Sequence, residues 1–318
     1  MAKILNYGSL NIDHVYKVDH IVVPGETLES ESLSFFAGGK GANQSVAIAK
    51  AGAEVYHAGK IGSDGTWLLD TLASSRVNTD FVKVYDGHTG HAIIQVNKEG
   101  ENSIILYGGG NQAIRREEVD TALAGFGKND YLVLQNEINE IPYIIKKAHD
   151  RGLSICLNPA PFSERIKTWP LELVTTLIMN ETEAAGLAGL SPAYSPRDGD
   201  TEEQRKEKLE AVIDTLAGCY PGTDLVLTAG GQGAFFAGST QREYVPSVKT
   251  TVVDTTAAGD TFLGYYLVAR ISGKGPREAM EQAARAASIS VSRPGAMESI
   301  PWAAELSEER AVSAIPSD

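Results

Sequence analysis

The stretch Asp254-Thr255-Thr256-Ala257-Ala258-Gly259-Asp260, followed at once by the apolar run Thr261-Phe262-Leu263-Gly264-Tyr265-Tyr266-Leu267-Val268-Ala269, decides the reading of this chain. Small residues open a helix whose first-turn N–H groups have no partner within the helix, and such a turn makes an anion site. Gly259 permits close approach to the backbone, and Asp260 adds a carboxylate at the same spot. A carboxylate beside an anion cradle is repelled by the anion, so the pairing implies a task. The obvious one is to take a proton from a hydroxyl that attacks phosphorus. The competing reading is an ordinary helix start in which Asp260 favours the positive end of the dipole.

The rest of the chain bears on that choice. Its 318 residues exceed a typical single domain and can bury a sizeable core. With 42% hydrophobic and 22% charged residues, the composition is that of a globular protein and argues against disorder. A net charge of −13 opposes binding to nucleic acid or an anionic membrane surface, so an anionic substrate needs a local pocket of donors. Cys156 and Cys219 lack paired spacing and the six histidines are scattered, which points to neither a disulfide framework nor a zinc cluster. The start, Met1 to Gly8, reads as a first strand and not a signal peptide, and no apolar run approaches the ~20 residues that span a bilayer. A soluble, cytoplasmic protein acting on small molecules is expected.

Short β-rich runs at residues 4–7, 55–58, 131–135, 154–157, 176–179 and 225–228 alternate with helical patterns at 41–51, 66–74, 141–151 and 202–217. That order reads as βα units on a largely parallel sheet, hence an α/β core. Two regions break it. Residues 29–36, and the pair 91–97 and 103–107 joined by Lys98-Glu99-Gly100-Glu101-Asn102, alternate polar and apolar residues with no intervening helix. They are expected to form a small antiparallel sheet over the core, a natural lid. Residues 191–208, rich in Pro, Gly, Asp and Glu, read as a solvated insertion leading into a helix.

Three further clusters follow strand-like runs. Gly38-Gly39-Lys40-Gly41-Ala42-Asn43-Gln44 opens a helix; it lacks the Walker spacing, and a tight turn with a solvated lysine would explain it. Yet Lys40, Asn43 and Gln44 place donors on a backbone that allows close approach, and Asn11 and Asp13 lie just beyond the first strand. A carboxylate and two amides can pair their hydrogen bonds with the vicinal hydroxyls of a polyol. Thr228-Ala229-Gly230-Gly231-Gln232-Gly233-Ala234 would let a flat ring or a phosphate lie on its backbone, or form a plain β-turn. Asn180-Glu181-Thr182-Glu183 is equally readable as an N-cap with its capping-box acid.

The order of these motifs, with the start Gly8-Ser9-Leu10-Asn11-Ile12-Asp13 and the segments Pro24-Gly25-Glu26-Thr27 and Gly100-Glu101-Asn102, resembles the ribokinase branch of the PfkB carbohydrate kinases over essentially the whole chain. The resemblance implies a single ribokinase-like α/β domain over residues 1–318, a three-layer core with a mainly parallel sheet flanked by helices. It also implies a small antiparallel β lid formed by about residues 10–40 and 88–110. The implied activity is ATP-dependent phosphorylation of the primary 5-hydroxyl of D-ribose. By resemblance Asp260 is the general base, and the N–H groups of Ala257, Ala258 and Gly259 form the anion hole. Asn11, Asp13, Gly39, Lys40, Asn43 and Glu137 match sugar-contacting positions, while Asn180, Thr228, Gly230, Gly231, Gly233 and Gly259 match nucleotide contacts. Glu183 belongs to the acid motif associated with Mg2+. Asp254, Thr256, Ser290, Arg293, Gly295 and Ser299 match the surroundings of a K+ ion, mostly through backbone carbonyls. A homodimer through the lid strands is the further expectation. Leu263, the turn Tyr107-Gly108-Gly109-Gly110-Asn111 and the segment 191–208 depart from the family pattern and bear on sugar choice. The alternatives are a kinase of the same family acting on fructose, deoxyribose or a nucleoside such as adenosine, or a sugar sensor that kept the pocket without turnover.

Overall fold

A computed structural model describes residues 2–190 and 200–306. Residues 191–199 of the insertion expected at 191–208, and the end of the chain after 306, lie outside the described residues. Among those described, the strands are β1 (Ile4–Tyr7), β2 (Asn11–Lys17), β3 (Ser32–Gly38), β4 (Val55–Gly62), β5 (Asn78–Tyr85), β6 (Gly90–Val96), β7 (Asn102–Tyr107), β8 (Tyr131–Gln135), β9 (Ser154–Asn158), β10 (Thr176–Asn180), β11 (Asp224–Thr228), β12 (Ala234–Ala237) and β13 (Arg242–Val245). The helices are α1 (Lys40–Lys50), α2 (Trp67–Ser74), α3 (Arg116–Leu123), α4 (Ile141–Asp150), α5 (Glu181–Leu187), α6 (Glu202–Cys219), α7 (Ala258–Ile271) and α8 (Pro276–Val291).

Nine strands form the main sheet in the order β13-β12-β11-β10-β9-β8-β1-β4-β5, parallel from β5 through β11. Its central strands are apolar at nearly every position because both faces are covered. Ile4 and Val133 pack with residues of α1, α2, α7 and α8, while their neighbours Leu5, Leu132 and Leu134 pack with residues of α3, α4, α5 and α6. The result is the three-layer arrangement expected from the sequence. At the far edge β12 and β13 run antiparallel, each only four residues long.

The smaller sheet has the order β3-β2-β6-β7. Its outer pairs, β2 with β3 and β6 with β7, are antiparallel as expected. The central pairing of β2 with β6 is parallel, from Asn11 opposite Gly90 to Lys17 opposite Val96. The chain leaves β3 for the main sheet, builds α1, β4, α2 and β5, and returns in the same direction, which a hairpin connection could not do. Leu33, Phe35, Phe36, Ile93, Ile104, Ile105, Leu106 and Tyr107 remain exposed on this sheet.

β1 lies between β8 and β4, so the chain order reverses across it, and crevices for ligands open at the carboxyl ends of strands around such a point. Gly8, Gln135, Asn158, Asn180 and Thr228 all stand at that edge. The edge is brought under α7 by a close helix crossing. A Cβ built on Gly264 would come within 2.5 Å of Ala47 Cβ and 2.8 Å of the Ala47 carbonyl carbon. Gly264→Ala therefore forces α1 and α7 apart. The overpacking, about 1–3 kcal/mol, outweighs a helix-propensity gain of at most ~1 kcal/mol. Urea unfolding should show a lowered midpoint, and an unchanged or raised midpoint would mean the crossing yields freely.

Candidate active site

The glycines at the start of α1 have a steric cause. A Cβ on Gly38 would lie 2.2 Å from an oxygen of the Asp13 carboxylate, and Gly39 adopts φ +97° with its Cβ direction 2.9 Å from Ser9 O. The turn is as tight as the sequence suggested, and it seats Asp13 of the small sheet against Gly38 at the end of β3. Glu137, just after β8, closes the same corner: its Oε2 accepts from the Ser9 hydroxyl and from the Lys40 N–H at 3.0 Å. Asn11 is fixed by Asn111, whose Nδ2 donates to Asn11 Oδ1 at 2.8 Å and whose Oδ1 accepts from Leu10 N–H at 3.0 Å. Asn11, Asp13, Gly39, Lys40, Asn43 and Glu137 are thus carried by β2, the α1 start and the β8 exit.

Asp260 stands in the first turn of α7 and is 8% exposed. Its Oδ2 accepts from Asn43 Nδ2 at 3.1 Å and its Oδ1 from Gln44 Nε2 at 2.8 Å. A carboxylate that served only the helix dipole would face its own backbone; this one is gripped by a second helix. Ala257 caps α7 in the left-handed region, φ +58°. Thr261 N–H is bonded to Ala257 O at 2.8 Å, so the amides of the preceding turn lie outside the helical ladder, and that of Ala258 makes a 3.2 Å turn contact with Thr255 O. A Cβ built on Gly259 meets nothing within 4 Å, which leaves space open on that side of the turn.

Four carboxylates and one ammonium share this region. Burial pushes Asp13 up to about 6, helped by the charge of Glu137. Burial likewise raises Glu137, against the opposing influence of the Ser9 hydroxyl and Lys40, and burial raises Glu183. Lys40 moves up, chiefly through Asp260, with Glu137 and Glu183 adding to it against the cost of burial. Lys40 is therefore the charge that offsets the cluster.

Asn180, Thr228, Gly230, Gly231 and Gly233 line one groove of about 560 Å3, and Ala258 and Gly259 line the same groove. The expected nucleotide positions and part of the anion turn are brought together. Gly233 needs its glycine: φ is +86° and a Cβ would meet Val245 O at 2.2 Å. The segment Asn180 to Glu183 forms a full capping box, with Glu183 Oε2 accepting from Asn180 N–H at 3.0 Å and Asn180 Oδ1 from Glu183 N–H at 2.9 Å. The groove also has an apolar wall that sequence reasoning missed, Val248 and Val252 from a loop and Ala284, Ala287 and Val291 from α8. Such a wall suits a flat ring. Its only sequence signal is the spacing of small and branched residues in a helix that the pattern at 276–291 did not announce.

The cation candidates are linked by short-range bonds, including Arg293 N–H to Ser290 O at 3.1 Å. Asp254 accepts from Thr256 N–H at 2.9 Å, Thr256 Oγ1 at 2.6 Å and Gly295 N–H at 3.0 Å; these bonds outweigh its burial and hold its carboxyl below the usual range. Ser290 and Ser299 are buried with their hydroxyls 2.8 Å apart. Arg293 pairs through its side chain with Glu305 at 2.6 Å, which leaves only its backbone for an ion. Among the described residues no three His, Cys, Asp or Glu side chains gather as a metal cluster, and no helix is long and apolar enough to cross a membrane.

Comparison with known proteins places this geometry. The pfkB family of carbohydrate kinases matches residues 1–303. A ribokinase of Staphylococcus aureus (strain COL) is 35% identical over 317 residues, covering 96% of this chain and 99% of its own. The crystal structure of ribokinase from Cryptococcus neoformans var. grubii serotype A in complex with ADP superposes with a TM-score of 0.87 at 34% identity, covering 97% of this chain and all of that one. The structure of Arabidopsis thaliana ribokinase complexed with ribose and ATP gives 0.80 at 27% identity, with 97% and 98% covered.

The raised carboxyl of Asp13 has a consequence for stability. Its folded pKa of about 6 exceeds the ~3.9 of an unperturbed aspartate, so ionising it costs more in the folded protein than in the unfolded chain. The stability it contributes is complete below about pH 4 and is lost as pH rises through 6. Asp13→Asn, which cannot ionise, should be more stable than the parent at pH 7.5, on the order of 2 kcal/mol, with the gain shrinking toward pH 4. Thermal melts across that range test this, and a gain that persists undiminished at pH 4 contradicts it.

Proposed function

This chain belongs to the pfkB family of carbohydrate kinases, and we propose that it transfers the γ-phosphoryl group of ATP to the primary 5-hydroxyl of D-ribose, giving ribose 5-phosphate and ADP. The observation that carries the reading is Asp260: a buried carboxylate held by α1 side chains, in the same helix turn whose neighbours Ala258 and Gly259 line the nucleotide groove. In the proposed step Asp260 takes the hydroxyl proton as the O5–Pγ bond forms. The bond from Pγ to the bridging oxygen breaks, and its electron pair leaves on ADP. The amides of Ala257, Ala258 and Gly259 face the charge on the transferred group, where fixed donors contribute most. Asn11, Asp13, Gly39, Lys40, Asn43 and Glu137 hold the sugar hydroxyls. Thr228 and the Gly230, Gly231 and Gly233 turn hold the nucleotide against the apolar wall, with Asn180 at its phosphate end.

Mg2+ and K+ belong to this reading as oxygen-seeking ions. Glu183, beside the groove-lining Asn180, would hold Mg2+ through water and the phosphates, a fit for a small ion that keeps much of its hydration. Bound there it would neutralise phosphate charge. The carboxylate of Asp254 with the carbonyls of Thr256, Ser290, Arg293, Gly295 and Ser299 would hold K+, and the two turn bonds from Thr256 to Asp254 support a fixed loop for it. The small sheet acts as the lid over the sugar, within one domain. A second copy pairs with its outward face, where Leu33, Phe35, Ile93, Ile105 and Tyr107 are exposed, to give a homodimer. The ATP requirement and the free thiols Cys156 and Cys219 suit the cytoplasm.

A coupled ADP-release assay over a panel of sugars and nucleosides tests the substrate. Ribose should give the highest kcat/KM, in potassium more than in sodium buffer. A different best sugar moves the assignment within the family, and tight ribose binding with no ADP from any sugar points to a sensor. Asp260→Asn should lower kcat by about 10²–10⁴ while ribose binding survives, the usual scale for a general base. Undiminished turnover removes that role.

A further inference from the structure

Beneath the site runs a chain of amide side chains, three of them buried. Asn6 of β1 donates through Nδ2 to Gly41 O at 2.7 Å and to Ser45 Oγ at 2.8 Å. Its Oδ1 accepts from Gln135 Nε2 at 3.0 Å, and the same Nε2 donates to Gln44 Oε1 at 2.6 Å. Gln44 Nε2 then donates to Asp260 Oδ1 at 2.8 Å and to Asn158 Oδ1 at 3.2 Å, while Asn158 Nδ2 donates to Ile178 O at 2.8 Å. Asn6 and Gln44 are fully buried and Gln135 is 1% exposed.

The direction of this chain is forced from both ends. Gly41 O and Ile178 O are backbone carbonyls and can only accept, so Asn6 and Asn158 must turn their NH2 groups toward them. Their oxygens then face Gln135 and Gln44. Gln135 must present its NH2 to Asn6, which leaves a second hydrogen for Gln44 Oε1, and Gln44 must present its own NH2 to Asp260. The arrangement leaves Gln135 Oε1 buried without a protein hydrogen-bond partner. Such an acceptor is costly, yet a flipped Gln135 would set oxygen against oxygen at two contacts.

We propose that Gln44, oriented by Gln135 and Asn6, is a positioning residue for the reaction: it fixes Oδ1 while Asn43 fixes Oδ2, locking the rotation of the Asp260 carboxylate so that the remaining lone pair of Oδ2 receives the hydroxyl proton. The inference rests on the assignment of Asp260 as the base. In-line transfer is sensitive to placement, and a shift of ~1 Å in a reacting group can cost about 10²-fold.

The test is a double-mutant cycle. Gln44→Met keeps the length of the side chain and removes its donor. It should lower kcat about 10- to 100-fold while KM for ribose and ATP stays within about threefold. In an Asp260→Asn background the same change should alter kcat by less than about threefold, because the carboxylate it holds is gone. Gln135→Met should give a smaller loss of the same kind. Equal losses in both backgrounds, or a loss carried by KM, overturn the proposal. Should Gln44→Met fail to fold by circular dichroism, Gln135→Met in the two backgrounds decides by the same criterion. A parent enzyme inactive with every sugar defeats the function, whereas an active parent and an unimpaired Gln44→Met defeat only this inference. Independently of turnover, a crystal structure of Gln44→Met should show the Asp260 carboxylate rotated or in two conformers, and an unmoved carboxylate contradicts the locking role.

Discussion

The hydrogen bonds from Asn43 and Gln44 to Asp260 are the interaction on which the rest of the architecture converges. They join the first turns of two helices far apart in sequence, and each helix brings a different ligand surface with it. α1 carries the glycine turn against Asp13, and α7 carries the amide turn at the groove. The crossing at Gly264 lets these two helices lie close enough for the bonds to form, and the central strands β1 and β8 supply the amides that orient them.

The electrostatic problem is severe for a protein of net charge −13 that is to handle a triphosphate. Asp13, Glu137, Glu183 and Asp260 lie in one region, and Lys40 interacts through space with Glu137, Glu183 and Asp260. In the proposed mechanism backbone and side-chain amides do the remaining work. They present positive ends without carrying a net charge of their own, and they need no reorganisation when a phosphate arrives. The three raised carboxyls mark where burial has been imposed for a purpose other than stability.

Much of this was legible because the informative residues sit at strand ends. The runs at 4–7 and 131–135 match β1 and β8 to the residue, since buried apolar strands bounded by glycine or polar residues leave little choice. The glycines at 38–39 and 233 could be read as tight turns, and the contacts of their Cβ directions give the reason. Glu183 illustrates the limit: its capping box is real, and a capping box says nothing either way about a metal. The parallel pairing of β2 with β6 depends on where the chain goes between them, which no local pattern encodes. The brief β12–β13 hairpin, β5, α3 and α8 escaped because short or small-residue segments carry weak periodicity. Asn6 and Gln135 carry no signal of their own in the sequence, and the packing of α1 over them makes them part of a buried network.

The most direct measurement is a crystal structure with ribose, ADP and a planar aluminium fluoride in place of the transferred phosphoryl group. Fluoride is expected within hydrogen-bonding distance of the amides at Ala257 to Gly259, with the ribose 5-oxygen at about 3 Å from Asp260 Oδ2, in line with the metal fluoride and the leaving oxygen of ADP. A fluoride bound away from that turn, or a 5-oxygen turned from Asp260, would contradict the proposed mechanism.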